Sequence, residues 1–154
     1  GSQLNLYDFQ GLRRRRAQEL HVTSTRFRDR RLNDLLLHTR VALSIHSMGE
    51  QGSGEIWIGG LNLELKQRIC DQLSLSGFVV NGDSPRYRGV HPANIVNLAS
   101  EHGVQIELSG NVIAAMFAME GPPFGRRVTQ LPTTERFDAF VGAVRSAMGL
   151  EAAA

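Results

Sequence analysis

Two residues stand where chemistry could be done. His46 ends the apolar run VALSIH (residues 41–46) and is followed by Ser47 and a stretch holding Gly49, Gly52 and Gly54. Glu107 sits near the end of VQIEL (residues 104–108), between Ile106 and Leu108. An imidazole at a strand end, ahead of a flexible loop, is placed to bind a metal or to move a proton. A carboxylate between apolar neighbours is expected to hold its proton to higher pH, which suits a general acid or base. Each residue also has a plainer reading, as a structural group hydrogen-bonded at the end of its strand.

Other candidates are weaker. Arg13 to Arg16 could touch phosphate or an acidic polymer, but a solvated loop explains them as well. The Gly49–Gly54 loop lacks the Gly-Lys-Ser/Thr ending of a phosphate-binding loop, so it reads as a turn. His91 and His102 read as surface residues at helix ends, and His21 as a satisfied sheet residue. Cys70, beside Ile69, reads as buried and inert, and Trp57 as core.

Elements must hold these residues in place. Residues 20–24 (LHVTS) read as a short strand. Residues 30–38 read as a helix with Leu32, Leu35 and Leu36 on one face. The run 41–46 reads as a strand buried on both faces, as in a parallel sheet. Residues 55–58 (EIWI) read as a strand stopped by Gly59-Gly60. Residues 62–76 read as an amphipathic helix with Leu65, Ile69 and Leu73, ended by Gly77. Residues 78–80 read as a strand and 81–92 as a loop. A short helix over 93–101 is expected to carry Pro92 in its first turn and to end at Gly103. Residues 104–108 read as a strand. Residues 112–119 fit either helix or buried strand, broken by Gly121-Pro122-Pro123. The last helix is capped by Thr133 or Thr134, starts with Glu135, and presents Phe137, Phe140, Val141, Val144 and Met148. Strands that alternate with helices predict an α/β domain with a mainly parallel or mixed sheet. In such sheets ligands bind beyond the carboxyl ends of strands, where His46 and Glu107 fall.

Composition narrows the classes. The chain has 154 residues, 42% hydrophobic and 21% charged, which fits one soluble globular domain over residues 3–150. No apolar run is long enough to span a membrane as a helix. One cysteine excludes an internal disulfide and a cysteine-based zinc site. The arginines outnumber the single lysine, Lys66, yet the net charge is only +2. With aromatic content at 6% and no basic helix or stacking platform, nucleic acid is disfavoured as a partner. Gly1-Ser2 reads as the scar of a removed tag and residues 151–154 as a frayed tail. With no signal-peptide pattern, cytoplasm and secretion stay equally open.

Six segments, in order, carry a resemblance. They are LYDFQGL (6–12), LHVTSTRF (20–27), VALSIHS (41–47), IWIGGL (56–61), PANIVN (92–97) and GVQIELS (103–109). The run around His46 resembles the third zinc-ligand strand of carboxypeptidase-like zinc hydrolases, and GVQIELS resembles the strand that carries their catalytic glutamate. The order of the pieces resembles the poly-γ-glutamate hydrolase family, also labelled phage-related replication protein. The resemblance implies a three-layer α/β sandwich and a zinc-dependent hydrolase that cuts amide bonds of γ-linked glutamate chains. It implies His46 as a zinc ligand and Glu107 as the general base. An arginine would hold the acidic polymer or peptide substrate; Arg26 in TSTRF is the first candidate, followed by Arg86 and Arg88. Asn94 in PANIVN is a further candidate substrate contact.

The pattern also departs from that family. Its other two zinc ligands, a histidine and a glutamate, lie in a short motif upstream of LYDFQGL, and no H-x-x-E spacing occurs here. A catalytic zinc normally takes three protein ligands, and His46 supplies one. After Ser109 the chain runs GNVIAAMF, where an arginine is expected. Three readings follow: an N-terminally truncated chain, a missing part carried by a second chain, or a metal-free relative acting as a binding module for an acidic partner.

Overall fold

The computed structural model describes residues 4–8, 19, 21–48, 54–83, 85–118 and 131–150. Arg13 to Arg16, Gly49 and Gly52, Gly121-Pro122-Pro123 and both tails lie outside them. The order of elements is α1 (Arg30–Leu37), β1 (Ala42–Ser47), β2 (Glu55–Gly60), α2 (Leu63–Leu75), β3 (Val79–Asn81), a 3-10 helix (Ile95–Leu98), β4 (Gly103–Leu108), α3 (Gly110–Met116) and α4 (Glu135–Ala147). The four strands form one sheet in the order β1-β4-β2-β3. β1 runs parallel to β4 and β2 parallel to β3, while β2 and β4 are antiparallel. The sheet is thus mixed, and the α/β expectation holds.

Strand alternation gives the sheet two unlike faces. Val104, Ile106 and Leu108 of β4 join Ile56 and Ile58 of β2 against Leu65, Ile69 and Leu73 of α2, Val112, Ile113 and Met116 of α3, and Phe140 and Val144 of α4. That cluster is the main core. A second cluster on α1 packs Leu32 and Leu36 with Ala99, Ala42 and Ile95. The other residues of β4, Gln105 and Glu107, are also buried. They stand on the second face, where the strand holds its polar chemistry.

Local signals explain the helices. Asp29 caps α1 by accepting the Leu32 N–H at 3.0 Å, and Asn62 caps α2 by accepting that of Leu65 at 2.9 Å. Gly77, at φ +77°, ends α2, and the Phe78 N–H closes the turn on the Leu73 carbonyl. The stretch from 112 resolves as helix as far as Met116, and residue 119 lies outside the described residues: Ser109 caps α3 by accepting from Val112. Thr134 stands at the α4 cap position, but its hydroxyl donates to the Ala115 carbonyl at 2.7 Å and does not cap. In α4, Ala143 and Ala147 are buried with Phe140 and Val144, while Phe137, Val141 and Met148 pack at the cluster's margin.

Several expectations are corrected. The described part of 20–24 is not a strand: the Thr23 carbonyl accepts from both Arg26 and Phe27, which closes a turn. His21 is therefore no sheet residue. β1 is not buried on both faces. Among the described strands it has a neighbour on one side only, and Ile45 is 53% exposed. The doubly buried strand is β4, between β1 and β2. Gly59-Gly60 forms the last two residues of β2 rather than lying beyond it, because bare backbone is needed there. A Cβ on Gly59 would meet the Tyr87 carbonyl oxygen at 2.3 Å. The expected helix over 93–101 shrinks to the 3-10 turn, and Gly103 opens β4. The Asn97 side chain is drawn into the loop instead, donating to the Gly89 and His91 carbonyls. Trp57 is half-buried on the polar face, its indole N–H on Glu55 at 2.8 Å, rather than in the core.

Candidate active site

His46 and Glu107 are register partners on the parallel strands β1 and β4. Parallel partners point to the same face, and each lies one residue before the carboxyl end of its strand. The two side chains line one cavity of about 510 Å³, shared with His21, Ser24, Met48 and Tyr87. This is the side-by-side placement expected from the two apolar runs.

The surroundings tune both groups. Glu107 is 8% exposed, and burial pushes its carboxyl up to about 7. Its Oε1 accepts from Gln105 Nε2 at 3.1 Å. Across the sheet, Trp57 of β2 is its antiparallel partner, and the Trp57 ring tilts against Tyr87 with centroids 5.1 Å apart. His46 is held below the usual imidazole range, first by burial and then by the positive charge His21 would add. Both effects disfavour its protonated form. Its Nε2 lies 3.0 Å from Ser44 Oγ, two residues earlier on the same face. If Nε2 carries the proton and gives it to Ser44, Nδ1 keeps its lone pair for another partner.

A neutral imidazole is the form a metal takes, so His46 fits a metal ligand. Among the described residues no three His, Cys, Asp or Glu converge. His46 fits as one donor of a set that these residues do not complete.

The other candidates are spread out. Arg26 is exposed in the turn that contains Ser24, two residues from the cavity lining. Arg86 and Arg88 are exposed and bracket Tyr87, which lines it. Asn94 is not at the cavity. It is 4% exposed, accepts the Val96 N–H and donates to Gln105 Oε1 at 2.7 Å. His91 is exposed, and its Nδ1 accepts the Ala93 N–H. Cys70 is half-buried rather than buried, and burial pushes its thiol up, which disfavours the reactive thiolate. Sequence reasoning passed over Gln105, Ser44 and Tyr87. The signal for the first two was present: Ser44–His46 and Gln105–Glu107 are polar pairs two apart in apolar strands, a spacing that puts each pair on one face.

A sequence model of poly-gamma-glutamate hydrolase matches residues 1–143. The UPF0714 protein YndL of Bacillus subtilis (strain 168) is 28% identical over 140 residues, covering 88% of this chain and 53% of that protein. The SPbeta prophage-derived UPF0714 protein YoqZ of the same strain is 32% identical over 114 residues, covering 72% of this chain and 41% of its own. The chain thus spans about half the length of these curated relatives. A solved structure described as a bacteriophage poly-gamma-glutamate hydrolase superimposes with a TM-score of 0.81 at 28% identity, covering 91% of this chain and 67% of the other. A zinc-free apo structure of YndL gives 0.78 at 25% identity, covering 91% and 68%.

Proposed function

The chain belongs to the poly-gamma-glutamate hydrolase family, and on that premise we propose that it hydrolyses amide bonds of γ-linked glutamate chains, with zinc, at the His46–Glu107 cavity. The observation that carries this reading is the register pairing of a neutral imidazole with a carboxyl whose pKa lies near 7, both facing one polar cavity. A base works best when its pKa is near the working pH.

Zinc, when bound, supplies Lewis acidity at the scissile carbonyl and makes water easier to deprotonate. The chain's own residues do the rest. Glu107 takes a proton as the water oxygen bonds to the amide carbon. It then gives that proton to the nitrogen as the C–N bond breaks, so the carboxylate is regenerated. His46 would be one metal ligand, and the described residues by themselves hold no set of three converging donors. The relative's zinc-free structure supports zinc as the metal. Zinc titration tests this assignment. His46→Ala should weaken zinc binding by roughly tenfold or more. Equal affinity in both proteins would remove His46 from the ligand set. No binding to either would remove zinc chemistry by this chain alone.

Arg26, Arg86 and Arg88 lie within two residues in sequence of the cavity-lining Ser24 and Tyr87 and would draw in the acidic polymer. Arg26→Ala should raise KM several-fold at low salt with little change in kcat. The gap should narrow as salt screens the wild-type attraction. A KM unchanged at low salt would take Arg26 out of capture. No helix among the described residues is long and apolar enough to cross a membrane.

A further inference from the structure

Asn94 and Gln105 are buried polar side chains that the scheme above does not use. Gln105 lies two residues before Glu107 on β4, on the same face. It is pinned from above by Gly89, where a Cβ would come within 2.8 Å of Gln105 Cδ. Three hydrogen bonds pass along this face in series. The Val96 backbone N–H donates to Asn94 Oδ1 at 3.3 Å, Asn94 Nδ2 donates to Gln105 Oε1 at 2.7 Å, and Gln105 Nε2 donates to Glu107 Oε1 at 3.1 Å.

The direction of this series is set at its origin. A backbone N–H can only donate, so it holds the oxygen of Asn94 and turns the nitrogen toward Gln105. That nitrogen can only donate, so it holds the oxygen of Gln105 and turns the second nitrogen toward Glu107. Neither amide can flip without placing two donors or two acceptors face to face. The carboxylate therefore meets an N–H at Oε1, and among the described residues Oε2 receives no protein donor.

We propose that Asn94 and Gln105 are positioning residues for Glu107: a relay of two side-chain amides, oriented by the Val96 backbone, that occupies Oε1 and leaves Oε2 to take and return the proton. This rests on the reading of Glu107 as the base. It also gives Asn94 a role through Gln105 rather than in direct contact with substrate.

Kinetics of the zinc-loaded protein on poly-γ-glutamate test it through a double-mutant cycle. Gln105→Met keeps the volume and removes the donor. It should lower kcat roughly tenfold with KM little changed, and should cost nothing further in a Glu107→Gln background. Asn94→Leu, which removes the donor to Gln105 Oε1 and leaves the Tyr87 carbonyl as the other partner of that amide, should give part of the same loss. An equal fall in kcat in both backgrounds would mean that Gln105 only supports the fold, and would overturn the relay. A Glu107→Gln protein with wild-type turnover would instead remove the base assignment, a separate result.

A second readout needs no turnover. In ¹⁵N-labelled metal-free protein the Gln105 side-chain amide protons should exchange slowly, and Glu107→Gln should shift them. Rapid exchange at solvent-like shifts would overturn the relay whatever the kinetics show.

Discussion

Glu107→Gln should lower turnover on poly-γ-glutamate by about 10²- to 10⁴-fold, the usual contribution of a general base, with KM and zinc content near wild type. The substitution keeps the volume of the side chain, and its amide oxygen can still accept from Gln105, so the cavity retains its shape. What disappears is a group that can hold a proton near neutral pH. If Glu107 only tied down the end of β4, activity per folded molecule would stay at the wild-type level.

The same variant has a stability signature in the metal-free protein. The Glu107 carboxyl stands near 7 in the fold against an ordinary value of 4.5, because burial disfavours its charge. Between those values the folded protein binds more protons than the unfolded chain. By linkage this residue's contribution to stability then falls as pH rises from 4.5 to about 7 and levels off above. Glu107→Gln removes that penalty. It should melt above wild type at pH 8 and level with it at pH 4. Lower melting temperatures at both pH values would show that the carboxyl supports the fold.

Gly60→Ala should cost on the order of 3–5 kcal/mol, the sum of forced overpacking and a strained backbone angle. Gly60 sits at φ +123°, and a Cβ would lie 2.2 Å from the Gly103 carbonyl oxygen and 2.8 Å from Val104 Cα. Both are backbone atoms of β4, the strand that carries Glu107, and neither can swing aside. A melting temperature lower by roughly 10 °C or more is expected for a chain of this size. Gly142→Ala is the control: nothing lies within 4 Å of its added Cβ, and a helix gains slightly from alanine. Equal shifts for the two variants would refute the close packing at Gly60.

Much of this fold was legible because local periodicity reports local structure. Leu65, Ile69 and Leu73 at steps of four marked α2, and Gly77 marked its end; Asn62, read as the first helical residue, is its cap. The runs around Ile45 and Ile106 gave β1 and β4. Pairing between distant segments has no local signature, and the misreadings cluster there. The run ending at His46 is as apolar as a buried strand, yet it is β4 that is flanked on both sides, by β1 and β2, while β1 has a described neighbour on one side only. Gly59-Gly60 looks like a stop. The approach of the Tyr87–Arg88 backbone to Gly59 and of the Gly103–Val104 backbone to Gly60 explains why glycine continues the strand. His46 and Glu107 were legible as polar residues where apolar runs end. Asn94 was legible as a candidate polar residue, but its hydrogen bond to Gln105, eleven residues away, is made only by the fold.

The most direct test of the hydrolytic reading follows the chain length of poly-γ-glutamate by light scattering. Wild-type protein and Glu107→Gln are compared with added zinc and again with a chelator. The account predicts that wild-type protein with zinc shortens the polymer and releases new amino groups, while the chelator and Glu107→Gln each stop it. Polymer that keeps its length with zinc-loaded wild type, or shortening that continues at the same rate in Glu107→Gln, would contradict it.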